Sequence, residues 1–246
     1  MSERANRDHW NATSDRYQAG HGEQLGAAPK AWGAWSVPES EVNAIGDLAG
    51  LRVLELGCGA GQWSAALADD GVDITGLDLS ERQLSAARGH VRSTYPLVQG
   101  AAESIPFADA TFDLVFCDHG GLSWGDPYRV VPEVARVLSA GGRLVFSAAS
   151  PFIAACYDED TDQISTSLQR PYFDLYALAE GDSSTSYVLP YGEWVRVFRR
   201  SGLIVEDLIE PRPAATAATS YYGLERSDWA HLWPADVLWI VRRPPG

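Results

Sequence analysis

The sequence predicts an α/β fold: a seven-stranded, mostly parallel sheet with helices on both faces, an antiparallel last strand and an N-terminal helical cap. Three observations predict it. Short apolar runs alternate with helix-period segments over residues 51–150, the pattern of βαβ units. A glycine turn, Gly57-Cys58-Gly59-Ala60-Gly61, directly follows the first apolar run. Two later apolar runs, with no helix pattern between them, suit an antiparallel pair at a sheet edge.

Taken in order, Trp10 and Tyr17 lie seven residues apart, on one face of an N-terminal helix that precedes the sheet. Leu51–Leu56 is a nearly continuous apolar run, as expected of a strand covered on both faces. Trp63, Ala66 and Leu67 then recur at helical spacing, and Gly71 closes that helix. Val72–Leu79 is the second strand. Ser80 with Gln83 three residues on reads as a capping box opening the next helix. Pro96–Gly100 and Phe112–Asp118 are the third and fourth strands. A helix follows, with Asp126 as cap and Pro127 at its first position; Pro132 is expected to kink or restart it. Gly142–Ser150 is the fifth strand. Trp194, Val197 and Phe198 mark one face of an amphipathic helix, and Leu203–Glu210 and Ala235–Arg243 complete the strands. Residues 151–190 show no long helix, and Pro211–Pro234 is long for a hairpin connection, a length that usually carries function. No repeat or linker interrupts the chain, so residues 1–246 read as a single domain, with 1–50 a helical cap.

Composition narrows the partners. With 19 basic and 33 acidic side chains the net charge is −14, and Lys30 is the single lysine. Nucleic-acid affinity comes largely from basic side chains releasing counterions, so DNA, RNA and anionic membranes are disfavoured. Cys58, Cys117 and Cys156 form no C-x-x-C and no disulfide framework; Cys58 and Cys117 flank buried strands as small hydrophobes. The polar start, MSERANRDHWN, carries no signal-peptide core, and no apolar stretch approaches membrane-spanning length, so a cytoplasmic location is expected.

In an open α/β sheet the loops at the carboxyl ends of the strands take the ligand. The turn here does not suit a dinucleotide: its glycines are 57, 59 and 61, one residue short of G-x-G-x-x-G, with bulky Gln62 where the helix should meet a pyrophosphate. G-K-[ST] is missing, so neither does it suit a triphosphate. Asp78 ends the second strand, where a carboxylate can accept both hydroxyls of a ribose. A ribose without a pyrophosphate points to an adenosine with a short zwitterionic tail.

At this point VLELGCGAGQWSAALA with GLDLS resembles the first motifs of class I S-adenosylmethionine-dependent methyltransferases. AAESIPFADATFDLVFCDHG and VLSAGGRLVFS resemble the family's next two signatures, with Ala140 where proline is common. The resemblance covers roughly residues 50–150 and is to the small-molecule branch, similar to ubiquinone/menaquinone-type methyltransferases. It implies a Rossmann-like fold, S-adenosylmethionine as cofactor, S-adenosylhomocysteine as product, and no metal. It also implies roles for residues. Gly57, Cys58, Gly59 and Gln62 would face the methionine part, and Glu55 its ammonium. Asp78 would take the ribose and Leu79 the adenine face, with Ala102, Glu103 and Ser104 along the adenine edge. Asp118 and His119 would sit near the sulfonium, and Tyr17 over the cofactor.

Other readings stay beside these. Asp78 could cap the next helix, Glu103 could be solvated, Tyr17 could pack on Trp10, and His119 could be an ordinary loop histidine rather than a proton acceptor. The acceptor pocket is expected outside the shared core, with residues 151–190 and 211–234 as its roof. Trp124 and Tyr221 are its candidate residues, among tryptophans that also include Trp10, Trp32, Trp35, Trp229 and Trp233. Such aromatics favour a planar or hydrophobic small molecule, and equally suit a core or a homodimer interface. The run Asp158–Asp162 reads as a solvated loop rather than a metal site. A nicotinamide oxidoreductase and a non-catalytic cofactor binder are the alternative functions.

Overall fold

The computed structural model describes residues 2–90, 94–159, 161, 163–181 and 183–246. Its main sheet contains strands β1 (Arg52–Leu56), β2 (Asp73–Asp78), β3 (Leu97–Gln99), β4 (Phe112–Asp118), β5 (Leu138–Ala149), β6 (Ile204–Ile209) and β7 (Asp236–Arg242). They lie in the order β6-β7-β5-β4-β1-β2-β3. The pairs β1–β2, β2–β3, β1–β4 and β4–β5 are parallel, whereas β7 runs antiparallel to both β5 and β6. The order reverses between β1 and β4, so a crevice opens at their carboxyl ends, where such sheets bind ligands.

Two cores cover the two faces, and the strands divide between them by their alternation. Leu54, Val115, Leu144 and Trp239 join one core; their chain neighbours Val53, Leu114, Val145 and Leu238 join the other. The first core is closed by helices α4 (Pro127–Val137) and α5 (Tyr191–Arg200), through Val130, Val134, Trp194 and Phe198. The second is closed by α2 (Gln62–Asp69), through Trp63 and Leu67, and by residues Trp32 to Leu48. Burial of this kind contributes about 25 cal/mol per Å2 of apolar surface, which is why the strands read as nearly continuous apolar runs.

Three local expectations are corrected. Helix α4 does not restart at Pro132 but runs on through it; the ring is exposed, so the helix loses one hydrogen bond on its wet side. Helix α6 (Leu224–Leu232) interrupts the segment between β6 and β7 that showed no helix pattern. Among its described side chains it buries Ser227, Trp229 and Ala230, a short stripe in a polar stretch. At helix α3 (Glu81–His90) the Ser80 hydroxyl accepts from Gln83 N at 3.1 Å, half of a capping box. The returning half is absent: Ser80 N donates to Asp78, and the Gln83 side chain accepts from Gln18.

Helix α1 (Ser2–Ala27) lies across the carboxyl ends of the strands, against α3 and a hairpin of Ala177–Glu180 and Ser184–Tyr187. Trp32 lies inside the second core, and Trp35 and Trp229 pack in a smaller cluster beside it. These three therefore serve packing, and Trp233 stacks on Phe152 at 5.9 Å. Asp160 and Asp162 of the acidic run lie outside the described residues.

Candidate functional site

The exits of β1 and β2 are tied together by their backbones. Gly57 N and Cys58 N both donate to Leu77 O, at 2.7 and 2.9 Å. Gly59 N donates to Asp78 Oδ2 at 2.8 Å, and Ser80 N donates to Asp78 Oδ1 at 2.8 Å. One carboxylate thus braces both loops. Burial pushes the Asp78 pKa up, and these main-chain donors pull it back. Glycine is required at Gly57: φ is +81°, and a Cβ would stand 2.4 Å from Gly121 N, so two backbones touch there. At Gly59 φ is +54° and a Cβ would meet nothing within 4 Å, because this residue borders open space.

That space is a cavity of about 530 Å3 beneath α1. Gly57, Gly59, Asp78 and Leu79 form its wall at β1 and β2. Beyond β3, Ala102 and Glu103 continue it; the buried Glu103 carboxylate accepts from Asp126 N at 3.2 Å, and burial pushes its pKa up. Beyond β4 come Asp118, His119 and Trp124. Tyr17 and Tyr221 face it from above, their phenol oxygens 2.8 Å apart. Burial, then Tyr221, pushes the Tyr17 phenol well above its usual range. Trp10 stands edge-on to Trp124, ring centres 5.0 Å apart, so cap and loop meet over the cavity through aromatics.

Four of the expected site residues do not line the cavity, each for a visible reason. Glu55 is buried on the α2 side, where its carboxylate accepts from Ser64 N at 2.9 Å and from the Ser64 hydroxyl. Burial pushes its pKa up to about 8, so near neutral pH it is largely uncharged. The Cys58 thiol points down, 3.0 Å from where a Gly76 Cβ would be. Gln62 donates to Gln18 of the cap at 3.0 Å. Ser104 is exposed.

Two residues of this site carry no motif and were missed. Asp236, the first residue of β7, places Oδ1 3.0 Å from His119 Nε2 and accepts from Ala34 N at 3.3 Å through Oδ2. The approach to His119 is a charge contact rather than an in-line hydrogen bond. Asp118, on the other side, accepts from Gly33 N at 2.9 Å and from the Ser147 hydroxyl. Burial lowers the His119 pKa, but Asp236 and then Asp118 outweigh it and hold the imidazole up at about 9. His119 also has φ +49°, a conformation costly for a residue with a side chain. The second missed residue is Ser123, a residue of the cavity wall whose Oγ is sealed from water and finds no partner among the described residues. A buried hydroxyl without a partner is the kind of group a ligand completes.

The donor set fits an adenosine with an amino-acid tail: a backbone turn with room at Gly59, a carboxylate at the end of β2, apolar Leu79 and Ala102 beside it, and acidic Asp118 where a cation would lie. The sheet order is Rossmann-like, and known proteins resemble this chain over that core. Residues 54–146 match the methyltransferase domain family. An uncharacterized methyltransferase of Mycobacterium tuberculosis is 38% identical over 109 residues, 44% of this chain and 44% of that protein. A demethylmenaquinone methyltransferase of Lactococcus lactis is 35% identical over 111 residues, 42% of this chain and 44% of that protein. Both matches thus span under half the length of these relatives. The solved S-adenosylmethionine-dependent methyltransferase of Mesorhizobium loti has the same fold, with a TM-score of 0.67 at 24% identity over 83% of this chain and 96% of that one. Among the described residues no helix is long and apolar enough to cross a membrane.

Proposed function

We propose that the protein transfers a methyl group from S-adenosylmethionine to a small-molecule acceptor, aromatic or hydrophobic, leaving S-adenosylhomocysteine. The observation that carries the reading is the Gly59–Asp78 bracket on the wall of a ligand-sized cavity, in a chain whose core matches the methyltransferase domain family. Asp78 accepts from the ribose hydroxyls, Gly57 and Gly59 lie along the amino-acid tail, and Leu79 covers the base. Glu103 sits at the adenine edge, and Asp118 faces the positive sulfur. When bound, the cofactor supplies a methyl already activated by that charge. The chain's work is then mostly to align the acceptor with it and to exclude water, which α1 and its aromatics do from above. His119, held by Asp236, receives the proton of a protic acceptor once the imidazole is neutral. Residues 1–50 act as the cap, 51–150 as the cofactor core, and 151–190 with 211–234 as the acceptor side of one domain, in a cytoplasmic enzyme.

The test is thermal melting with S-adenosylhomocysteine and, separately, with NAD, followed by transfer of labelled methyl to small molecules of a cell extract. Stabilisation by S-adenosylhomocysteine alone together with label transfer is expected. Stabilisation by NAD alone would replace the reading with a nicotinamide oxidoreductase. Binding of S-adenosylhomocysteine with no label transfer would leave a cofactor-binding protein without catalysis.

A further inference from the structure

The turn that leads from the cap to the sheet, Gly33 to Ser36, is bonded on two sides. Toward the site it donates two consecutive N–H groups to carboxylates, Gly33 N to Asp118 at 2.9 Å and Ala34 N to Asp236 at 3.3 Å. Gly33 has φ +70°, and a Cβ there would stand 2.2 Å from Asp236 Oδ2, so glycine is what lets the turn come this close. On the other side the Ala34 carbonyl accepts from Gln24 Nε2 at 2.9 Å and from the Thr219 hydroxyl at 2.6 Å. Gln24 belongs to α1, and Thr219 to the segment between β6 and β7. The Gln24 amide is fully used: its nitrogen also donates to the Ser36 hydroxyl at 2.9 Å, and its oxygen accepts from Ser220 N at 2.6 Å and from the Ser220 hydroxyl at 2.9 Å. One side chain thus ties the cap helix, the turn and the 219–220 segment together.

The two carboxylates that the turn braces are the ones that act on His119. His119 Nε2 is sealed from water, 3.0 Å from Asp236 Oδ1. An imidazole has two ring nitrogens, so Nδ1 is the one left to meet a ligand in the cavity that His119 lines. Asp236 is buried and stands off the cavity wall, so it acts on a ligand only through His119. A buried carboxylate beside an imidazole orients the ring and favours its protonated form. The other ionisable groups that feel this pair are phenols and one acid. Tyr17 of α1, Tyr221 and Glu55 of β1 feel Asp118, and Tyr222 feels Asp236. Burial pushes the pKa of all four upward, which leaves Asp236 and Asp118 as the charges that act on the ring.

We propose that Asp236 and Gln24 are positioning residues for His119: Asp236 holds the ring at Nε2, and Gln24, through Ala34, holds Asp236, so that Nδ1 is set toward the methyl acceptor when the cap and the 219–220 segment are in place. The proposal rests on His119 receiving the acceptor's proton. As the acceptor's electron pair takes the methyl, its proton passes to Nδ1, and the electron pair of the broken S–CH3 bond stays on sulfur. The test is nitrogen-15 NMR of the imidazoles of the full-length protein as a function of pH, with His119 assigned as the signal that His119→Asn lacks. The His119 midpoint is expected near 9, and its neutral ring is expected to carry the proton on Nε2. Asp236→Asn is expected to lower the midpoint by about 1–3 units, the range for one close opposite charge. Gln24→Ala, which leaves both residues unaltered, is expected to lower it by less, in the same direction. A merely structural role for Gln24 would lower the melting temperature and leave the midpoint in place. A neutral ring with its proton on Nδ1, or a midpoint not lowered in Asp236→Asn or in Gln24→Ala, would overturn the proposal. Should Asp236→Asn not fold, the tautomer of the unaltered protein and the Gln24→Ala midpoint decide. Absence of methyl transfer by the unaltered protein, with the midpoints as expected, would instead sink the methyltransferase reading, a separate result.

Discussion

Gly57 and Gly59 sit two residues apart in one turn, yet they answer to different constraints. A methyl at Gly57 collides with the Gly121 backbone, whereas one at Gly59 enters the cavity. Gly57→Ala should therefore destabilise the fold by about 2–5 kcal/mol, positive-φ strain plus overpacking, seen as a large fall in Tm. Gly59→Ala should cost about 1–2 kcal/mol of stability yet abolish measurable S-adenosylhomocysteine binding. Equal effects of the two on stability would contradict the geometry. Asp78→Ala should weaken S-adenosylhomocysteine binding by about 1–3 kcal/mol in titration calorimetry, the loss of charge-assisted hydrogen bonds. Under the proposed reaction, His119 should set the pH dependence of turnover. Its pKa lies near 9, so the neutral imidazole that accepts a proton grows as pH rises toward that value. With a protic acceptor, methyl transfer should climb between pH 7 and 9, and His119→Asn should flatten that limb.

Helix α1 is an element whose docking is polar. Among its described side chains only Asn6 and Ser14 are buried; Trp10 and Tyr17, which meet Trp124 and Tyr221, are half-buried, so no fully buried apolar stripe seats it. Hydrogen bonds do: Asn6 donates to Trp124 O and Thr185 O and accepts from Thr185 N, and Gln18 joins Gln62 to Gln83. Water can replace such bonds at little net cost, so a helix held this way opens more easily than one held by a core. Asn6→Ala should lower hydrogen-exchange protection across Ser2–Ala27 while β1, β4 and β5 keep theirs. A loss of protection spread evenly over the sheet would show that α1 is part of the cooperative core instead. Gln62 and Gln83 lie beside the two cofactor motifs, which makes the same relay a link between cap position and site.

For the whole molecule, buried ionisable groups set how stability varies with pH. Glu55 has a folded pKa of about 8 against an ordinary 4.5, and His119 about 9 against 6.5. Both folded-state values are raised, so in each window the native state binds more protons than the unfolded chain. Stability therefore falls as pH rises, first from about 4.5 to 8 through Glu55, then from about 6.5 to 9 through His119. On the acid side Asp113, held well below the usual range by Arg52, acts in the opposite sense, as does Glu133 beside Arg136; their contributions are present above that range and lost as pH falls, and exposure keeps them small. Melting temperature should thus decline between pH 6 and 9, and Glu55→Gln should make that decline shallower. A Tm that rises over the interval would contradict the burial of both groups.

Much of this was legible in the chain itself. The alternation of apolar runs, the glycine turn and Asp78 define the sheet and the place of its ligand crevice, because periodicity and positive-φ glycine are local properties that each residue carries along the sequence. Local properties do not say what a polar side chain meets. Tertiary structure alone decided that Glu55 serves Ser64, that Gln62 and Gln83 serve the cap, and that Asp236 reaches His119 across 117 positions, from Asp236 back to residue 119. Helix α6 and the reach of Gln24 to Ser220 belong to the same class. They depend on long connections whose ends are brought together by packing, and packing leaves no period to read.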